Sequence, residues 1–231
     1  MKRRAGNIDY TLVKALRSSI RLSVNESGDV RVYAPKTMRL RDIDAFVLSH
    51  SADVQAMERK MQQRRAAFEA GHPLEDGSML LVLGRPTTLR VSVGSRRTAR
   101  YTGDELILTA PETDRETLRA LIRKALSEAA LREIRRLIAV HAPELRVTPG
   151  RIAIREQKSR WGSCSDRDNL NFNWKLMLAP PEALEYVVIH ELCHLIEFNH
   201  SVRFWRLVES RMPHYEQPKK WLKVNGEMLN I

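Results

Sequence analysis

Cysteine is scarce: Cys164 and Cys193 are the two in 231 residues. A single pair cannot build the disulfide framework of a small secreted scaffold, and the chain suits a reducing compartment. Long apolar runs are missing as well. Stretches such as SMLLVLG and LILTAP fall far short of the roughly 20 residues that cross a bilayer, so no membrane association is expected. The basic start, MKRRAGNIDYTLVKAL, leads into neither a sustained apolar block nor a small-residue cleavage site, unlike a secretory leader. A cytoplasmic location is therefore expected. No stretch is low in complexity, and 43% hydrophobic content is enough for a real core, which argues against intrinsic disorder.

Acidic residues are also in short supply, with 28 Asp and Glu against 39 Lys and Arg and a net charge of +11. The imbalance sits early. Residues 1–100 hold 19 basic against 10 acidic side chains, while the remaining 131 hold 20 against 18. A basic amino-terminal part could meet nucleic acid, nucleotides or acidic protein surfaces. A solvated arginine-rich face is the plain alternative.

The first part reads as β-rich with one helix inserted. IRLSVNESGDVRVYAP alternates around a turn-forming NESGD, which predicts a hairpin of Ile20–Val24 with Val30–Tyr33. Residues 40–70 have helical period and stop at Gly71. Short alternating runs (MLLVLGRP, TLRVSVG, ARYTG, ELILTAP) then suggest a small antiparallel sheet. A long helix is expected over 113–141, with Pro143 and Pro149 bracketing its exit. RIAIREQ and NLNFNWKL read as strands joined through KSRWGSCSDRD, and Pro180–Pro181 open a further helix. No internal repeat is visible. The expected division is a β-rich basic region, 1–110, and a catalytic region, 111–231, packed together as one unit.

The chemistry concentrates in VVIHELCHLIEFNH, residues 187–200, which hold three of the seven histidines. His190 and His194 are four residues apart, so on a helix they rise from one face, a turn apart. That spacing lets two imidazoles reach one cation at zinc–nitrogen distances. Glu191 is rotated about 100° around the helix, placed to reach a water on the metal rather than the metal itself. His200 completes H-E-x-x-H-x5-H, a ligand spacing shared with metzincins. Chance alone gives this pattern less than about once in a thousand such chains. The metzincin glycine three residues after the second ligand is replaced by Glu197. Asn199 tolerates a left-handed backbone, so the helix is expected to end near Phe198–Asn199 and let His200 turn back. Glu197 and Glu209 are the competing third ligands. Cys193, between the ligands, reads as a small core residue.

Around this cluster, Arg160 of SRWGSC is a candidate for oxyanion stabilisation, and the NLNFNW strand for a cleft wall that pairs with an extended peptide. His214 and Tyr215 are candidate hydrogen-bond donors to a tetrahedral intermediate. Trp161, Phe204 and Trp205 read as packing residues, and Gly162 as a bulge.

KSRWGSCS, NFNWKL, HELCHLIEFNH, FW and MPHYEQPKKWL, in this order and spacing, closely resemble the YgjP-like metallopeptidase family. That family is also described as predicted metal-dependent hydrolases, related to SprT-like and minigluzincin zinc proteins. The resemblance extends over nearly the whole chain, including RLSVNESGDVRVYAP, and is most specific from Lys158 to Leu222. It implies His190, His194 and His200 as ligands of one Zn2+ and Glu191 as the catalytic glutamate. The implied fold is α+β and zincin-like: a mixed or antiparallel sheet, an HExxH active-site helix and a C-terminal helical cap, beside the β-rich amino-terminal part.

These readings lead to a zinc-dependent hydrolase, foremost a metallopeptidase that cleaves peptide or protein substrates by Glu-assisted attack of zinc-bound water. Two rivals stand beside it. One keeps the metal and makes the substrate a nucleotide phosphate, or recruits a protease to nucleic acid through the basic part. The other is a basic binding module with a purely structural zinc, which would need a fourth protein ligand.

Overall fold

The computed structural model describes residues 1–24, 29–59, 63, 73–157, 160–226, 229 and 231. The chain divides into two compact units, Met1–His72 and Pro73–Ile231. The boundary expected at residue 110 instead falls inside the second unit, where strands and helices on both sides of it share one core.

In the first unit, β1 (Lys2–Ala5), β2 (Ile8–Ala15), β3 (Arg21–Val24) and β4 (Val30–Pro35) form a sheet of order β1-β2-β4-β3. Alternation decides which face is buried. Ile8, Tyr10 and Leu12 on β2 and Val30, Val32 and Ala34 on β4 point inward, with Ile43, Val47 and Val54 in the same core. Ile43 and Val47 lie on α1 (Leu40–Ser49), and residues 51–59 are helical as well. The predicted β3–β4 hairpin is present as an antiparallel pair; its tip, 25–28, and most of the expected helix beyond 59 lie outside the described residues. The β1–β2 hairpin was hidden in the basic start, where Gly6 takes φ +57° at the turn.

The second unit opens with β5 (Met79–Val82), β6 (Arg85–Val93), β7 (Thr98–Tyr101) and β8 (Glu105–Ala110) in the order β5-β6-β8-β7. The expectation of an antiparallel sheet is corrected here. The central pair β6–β8 is parallel, because β7 intervenes as a hairpin partner of β8. The order and pairing senses repeat those of β1–β4. Each sheet also ends in Ala-Pro-x-Thr before its helix, at 34–37 and 110–113. The internal repeat is one of topology, which the differing side chains concealed.

Helix α2 (Arg115–Leu145) starts where Asp114 Oδ1 accepts from the Thr117 backbone N–H. It runs past Pro143, whose place in the last turn differs from the expected exit, and ends at left-handed Arg146. A three-stranded sheet follows: β9 (Ile152–Arg155), β10 (Gly162–Cys164) and β11 (Leu170–Asn173), with β11 central, parallel to β9 and antiparallel to β10. A 3-10 turn (Trp174–Leu178) leads to α3 (Pro181–Cys193), α4 (Val202–Arg211) and α5 (Glu216–Asn225). Helix α2, the strands and α3 enclose one core, with Trp174, Phe172, Ile134 and Val188 deep within it. The result is a mixed α+β fold with a helical cap. None of the helices among the described residues is long and apolar enough to cross a membrane.

Candidate metal centre

Helix α3 starts on Pro181, whose missing N–H is no loss in a first turn. Tyr186, Val187, Val188 and Ile189 are buried, so the helix is enclosed around most of its girth and its polar residues collect at its last turn. Its end is earlier than expected. His194 is the C-cap, its N–H bonded to the His190 carbonyl, and residues 194–196 continue as a turn. Asn199 is not left-handed; among the described non-glycine residues only Leu83, Arg146 and Asp168 have positive φ. The reversal comes instead from 3-10-type bonds of Leu195 and Ile196 and from the His194 ring, whose Nδ1 bonds the Glu197 carbonyl at 3.1 Å. Ser201 then caps α4 by accepting from the Phe204 N–H.

This path brings His200 back over the helix end. His190 Nε2 lies 3.2 Å from His194 Nε2 and 3.2 Å from His200 Nε2. All three candidate ligand atoms are within 4.8 Å of one another, the one such group among the described residues. A tetrahedral ion held at about 2.0–2.1 Å sets its nitrogen ligands about 3.3 Å apart; the two separations from His190 match this, and the three residues could hold a metal. Neutral imidazole lone pairs facing each other at this distance repel unless a cation lies between them. The Nδ1 contact of His194 leaves its Nε2 free to ligate. Glu197 and Glu209, the competing third ligands, are not brought in: the Glu197 carboxylate faces Arg203 at 3.8 Å, and Glu209 is exposed. Cys193 is buried in the core, its thiol pushed up to about 12 by burial.

Aromatic rings support the triad. Phe204, 0% exposed, lies beneath all three imidazoles, with ring centroids 4.5–4.9 Å away. Trp205 stacks on His200, and Tyr215 stacks on both Trp205 and Tyr186. Tyr186 was missed in the sequence, although it lies four residues before His190 on the same helix face. Its Oη is 3.5 Å from His190 Nδ1, a long hydrogen bond. Burial pushes the Tyr186 hydroxyl up and holds His190 down at about 3, with neighbouring His194 and His200 adding to the latter. His194 is also lowered by burial, which the Glu197 carbonyl bond opposes.

Glu191 shares both clefts with His190 and rests in a tight seat. It is 4% exposed, and its Oε2 has no hydrogen-bond partner among the described residues. Burial pushes its carboxyl up to about 8, and Arg160 opposes that rise. Gly162 forms the seat: it is the first residue of β10, paired with Phe172, and not a bulge. Trp161 packs against Gly226. Clefts of ≈ 290 Å³ and ≈ 360 Å³ share Gly162, His190 and Glu191. The cleft-lining strand is edge strand β10, whereas NLNFNW supplies the central strand β11. Arg160 lines the second cleft. His214 is exposed and does not join the cluster. His141, buried, bonds Glu185 at 2.8 Å, and His50 bonds the Phe46 carbonyl; His72 lies outside the described residues.

An α+β unit with a histidine triad at the end of a buried helix has the makings of a metal-dependent hydrolase. The model of the YgjP-like metallopeptidase domain matches residues 18–225. The chain belongs to the YgjP-like metallopeptidase family, and with it to the peptide-cleaving hydrolases that use a metal ion. Among solved structures, the metallopeptidase zymogen of Methanocaldococcus jannaschii jannalysin is similar over 41% of this chain and 96% of its own, at 22% identity and a TM-score of 0.36. No curated protein matches the chain.

Proposed function

We propose that the protein is a zinc peptidase in which His190, His194 and His200 hold one Zn2+ and Glu191 is the general base. The observation that carries this reading is the convergence of three imidazoles, with His190 Nε2 at tetrahedral spacing from both of the others, beside a buried carboxylate oxygen that lacks a partner among the described residues. When bound, the ion acidifies water toward a pKa of about 7 and polarises the scissile carbonyl. Glu191 Oε2 takes the proton of the attacking water and returns it to the departing amine. The seat on Gly162 holds the carboxylate for both transfers. Strand β10, paired on one side by β11 and without a strand partner on the other among the described residues, offers an extended substrate backbone a ladder to join.

A structural zinc would require a fourth protein ligand, and the cluster among the described residues has three. The test combines metal analysis with hydrolysis by the Glu191→Gln variant. Zinc retained at one equivalent with peptide cleavage abolished supports the reading. Unchanged cleavage removes Glu191 from it, and hydrolysis of nucleoside triphosphates in place of peptides reassigns the substrate.

A further inference from the structure

The two clefts meeting at Glu191 carry the same sign of charge. Lys219 and Lys223 line the first, and Arg160 lines the second. Among the described residues, no carboxylate other than Glu191 lines either cleft. The three cations differ in how far they are committed. Lys219 Nζ rests 4.0 Å from the Trp205 ring centroid and pairs with Glu216 at 2.7 Å, so its charge is partly offset. Lys223 is exposed at the cleft edge and has no partner among the described residues. Arg160 is exposed and lines the second cleft together with Glu191.

A peptide laid along β10 past Glu191 would meet Lys223 in the first cleft and Arg160 in the second. We infer that the preferred substrates are acidic peptides, with a carboxylate on one or both sides of the scissile bond, received by Lys223 on one side and Arg160 on the other. The inference rests on the peptidase reading above and narrows its substrate class. Water reaches both cations, so the expected discrimination is modest, about two- to fivefold per contact, and it weakens with salt. Phe198, 61% exposed on the rim of the second cleft, adds apolar surface beside Arg160 without reversing that sign. The carboxylate could belong to an Asp or Glu side chain or to a peptide C-terminus, and both present the same group.

The experiment is a peptide series carrying Glu, Gln or Lys at each position flanking the cleaved bond, each with a free or an amidated C-terminus. It is run on the zinc-loaded full chain and on the Lys223→Glu and Arg160→Glu variants. Expected are kcat/KM values in the order Glu over Gln over Lys, carried mainly by KM and flattened at high salt. Each charge reversal should invert the order on one side of the bond only. A side-chain preference that survives amidation assigns an internal acid, and one that vanishes assigns a C-terminal carboxylate. Cleavage indifferent to charge, or reversals that leave the order unchanged, overturns the inference while leaving the peptidase reading intact. Cleavage of no peptide by the loaded protein overturns both.

Discussion

A methyl group at residue 162 would lie 2.5 Å from Glu191 Oε1 and 2.7 Å from its Cγ. Glycine at this position therefore sets where the carboxylate rests. Gly162→Ala must move either β10 or the glutamate, and overpacking of this kind costs about 1–3 kcal/mol. The expected result is a fall of at least about tenfold in kcat with zinc content unchanged, since no proposed ligand is displaced. Wild-type kcat in this variant would show that the observed Glu191 position is not the working one.

If His190 holds the proposed ion, Tyr186 positions it through the contact of its hydroxyl with His190 Nδ1. Partners of ligand imidazoles fix ring orientation, and their removal weakens metal affinity by about 10- to 100-fold. At 3.5 Å the contact is long, so Tyr186→Phe is expected at the lower end, near tenfold. Competition with a zinc chelator measures it. The stacking of Tyr186 on Tyr215 does not need the hydroxyl, so thermal stability should change little. An unaltered zinc affinity would reduce Tyr186 to a packing residue.

Much of this centre was legible before any coordinates. Positions i and i+4 share a helix face by geometry alone, so His190 and His194 followed from spacing. His200 followed from the interval to it, yet the manner of its return did not. The turn at 194–197 depends on a ring-to-carbonyl bond that no local propensity encodes. Strand β10 went unseen because three residues, Gly-Ser-Cys, carry no alternation, and pairing with β11 makes the strand. The parallel pairs β2–β4 and β6–β8 were equally hidden, since alternation reports burial of a face and not strand direction. Helix α2 was read nearly to its ends because a long apolar stripe is a local signal.

In the first unit, Arg3 Nη2 donates to Asp44 Oδ2 at 2.6 Å and Tyr10 Oη donates to Oδ1 at 2.5 Å, tying two strands to α1. Arg3 first, then Tyr10, hold the Asp44 carboxyl below its ordinary value, against a weaker effect of burial. An unfolded chain takes up this proton near pH 3.9, before the folded one does. The contribution to stability is therefore complete above about pH 5 and is lost as pH falls through the lower folded value. Amide-exchange protection of β1, β2 and α1 in the wild type should exceed that of Asp44→Asn at pH 6, and the gap should close toward pH 2.5. A gap independent of pH would mean that the charge of Asp44 contributes nothing.

Whether the proposed zinc is catalytic or structural is decided by what its removal does to the fold. The triad sits at the end of α3, with His200 exposed, while the core of the second unit extends from Trp174 and Phe172 through α2 to Leu106 and Leu108. Most of the buried apolar surface lies away from the ion and does not need it to form. Chelation should therefore abolish peptide cleavage and leave the helical circular dichroism in place. Re-addition of zinc should restore activity and raise the melting temperature in proportion to the logarithm of zinc concentration, as binding to the native state alone requires. His200→Ala should lose both the restored activity and the zinc-dependent shift, yet melt where the chelated wild type melts. Unfolding on chelation would place the ion in the folding framework and revive the structural reading.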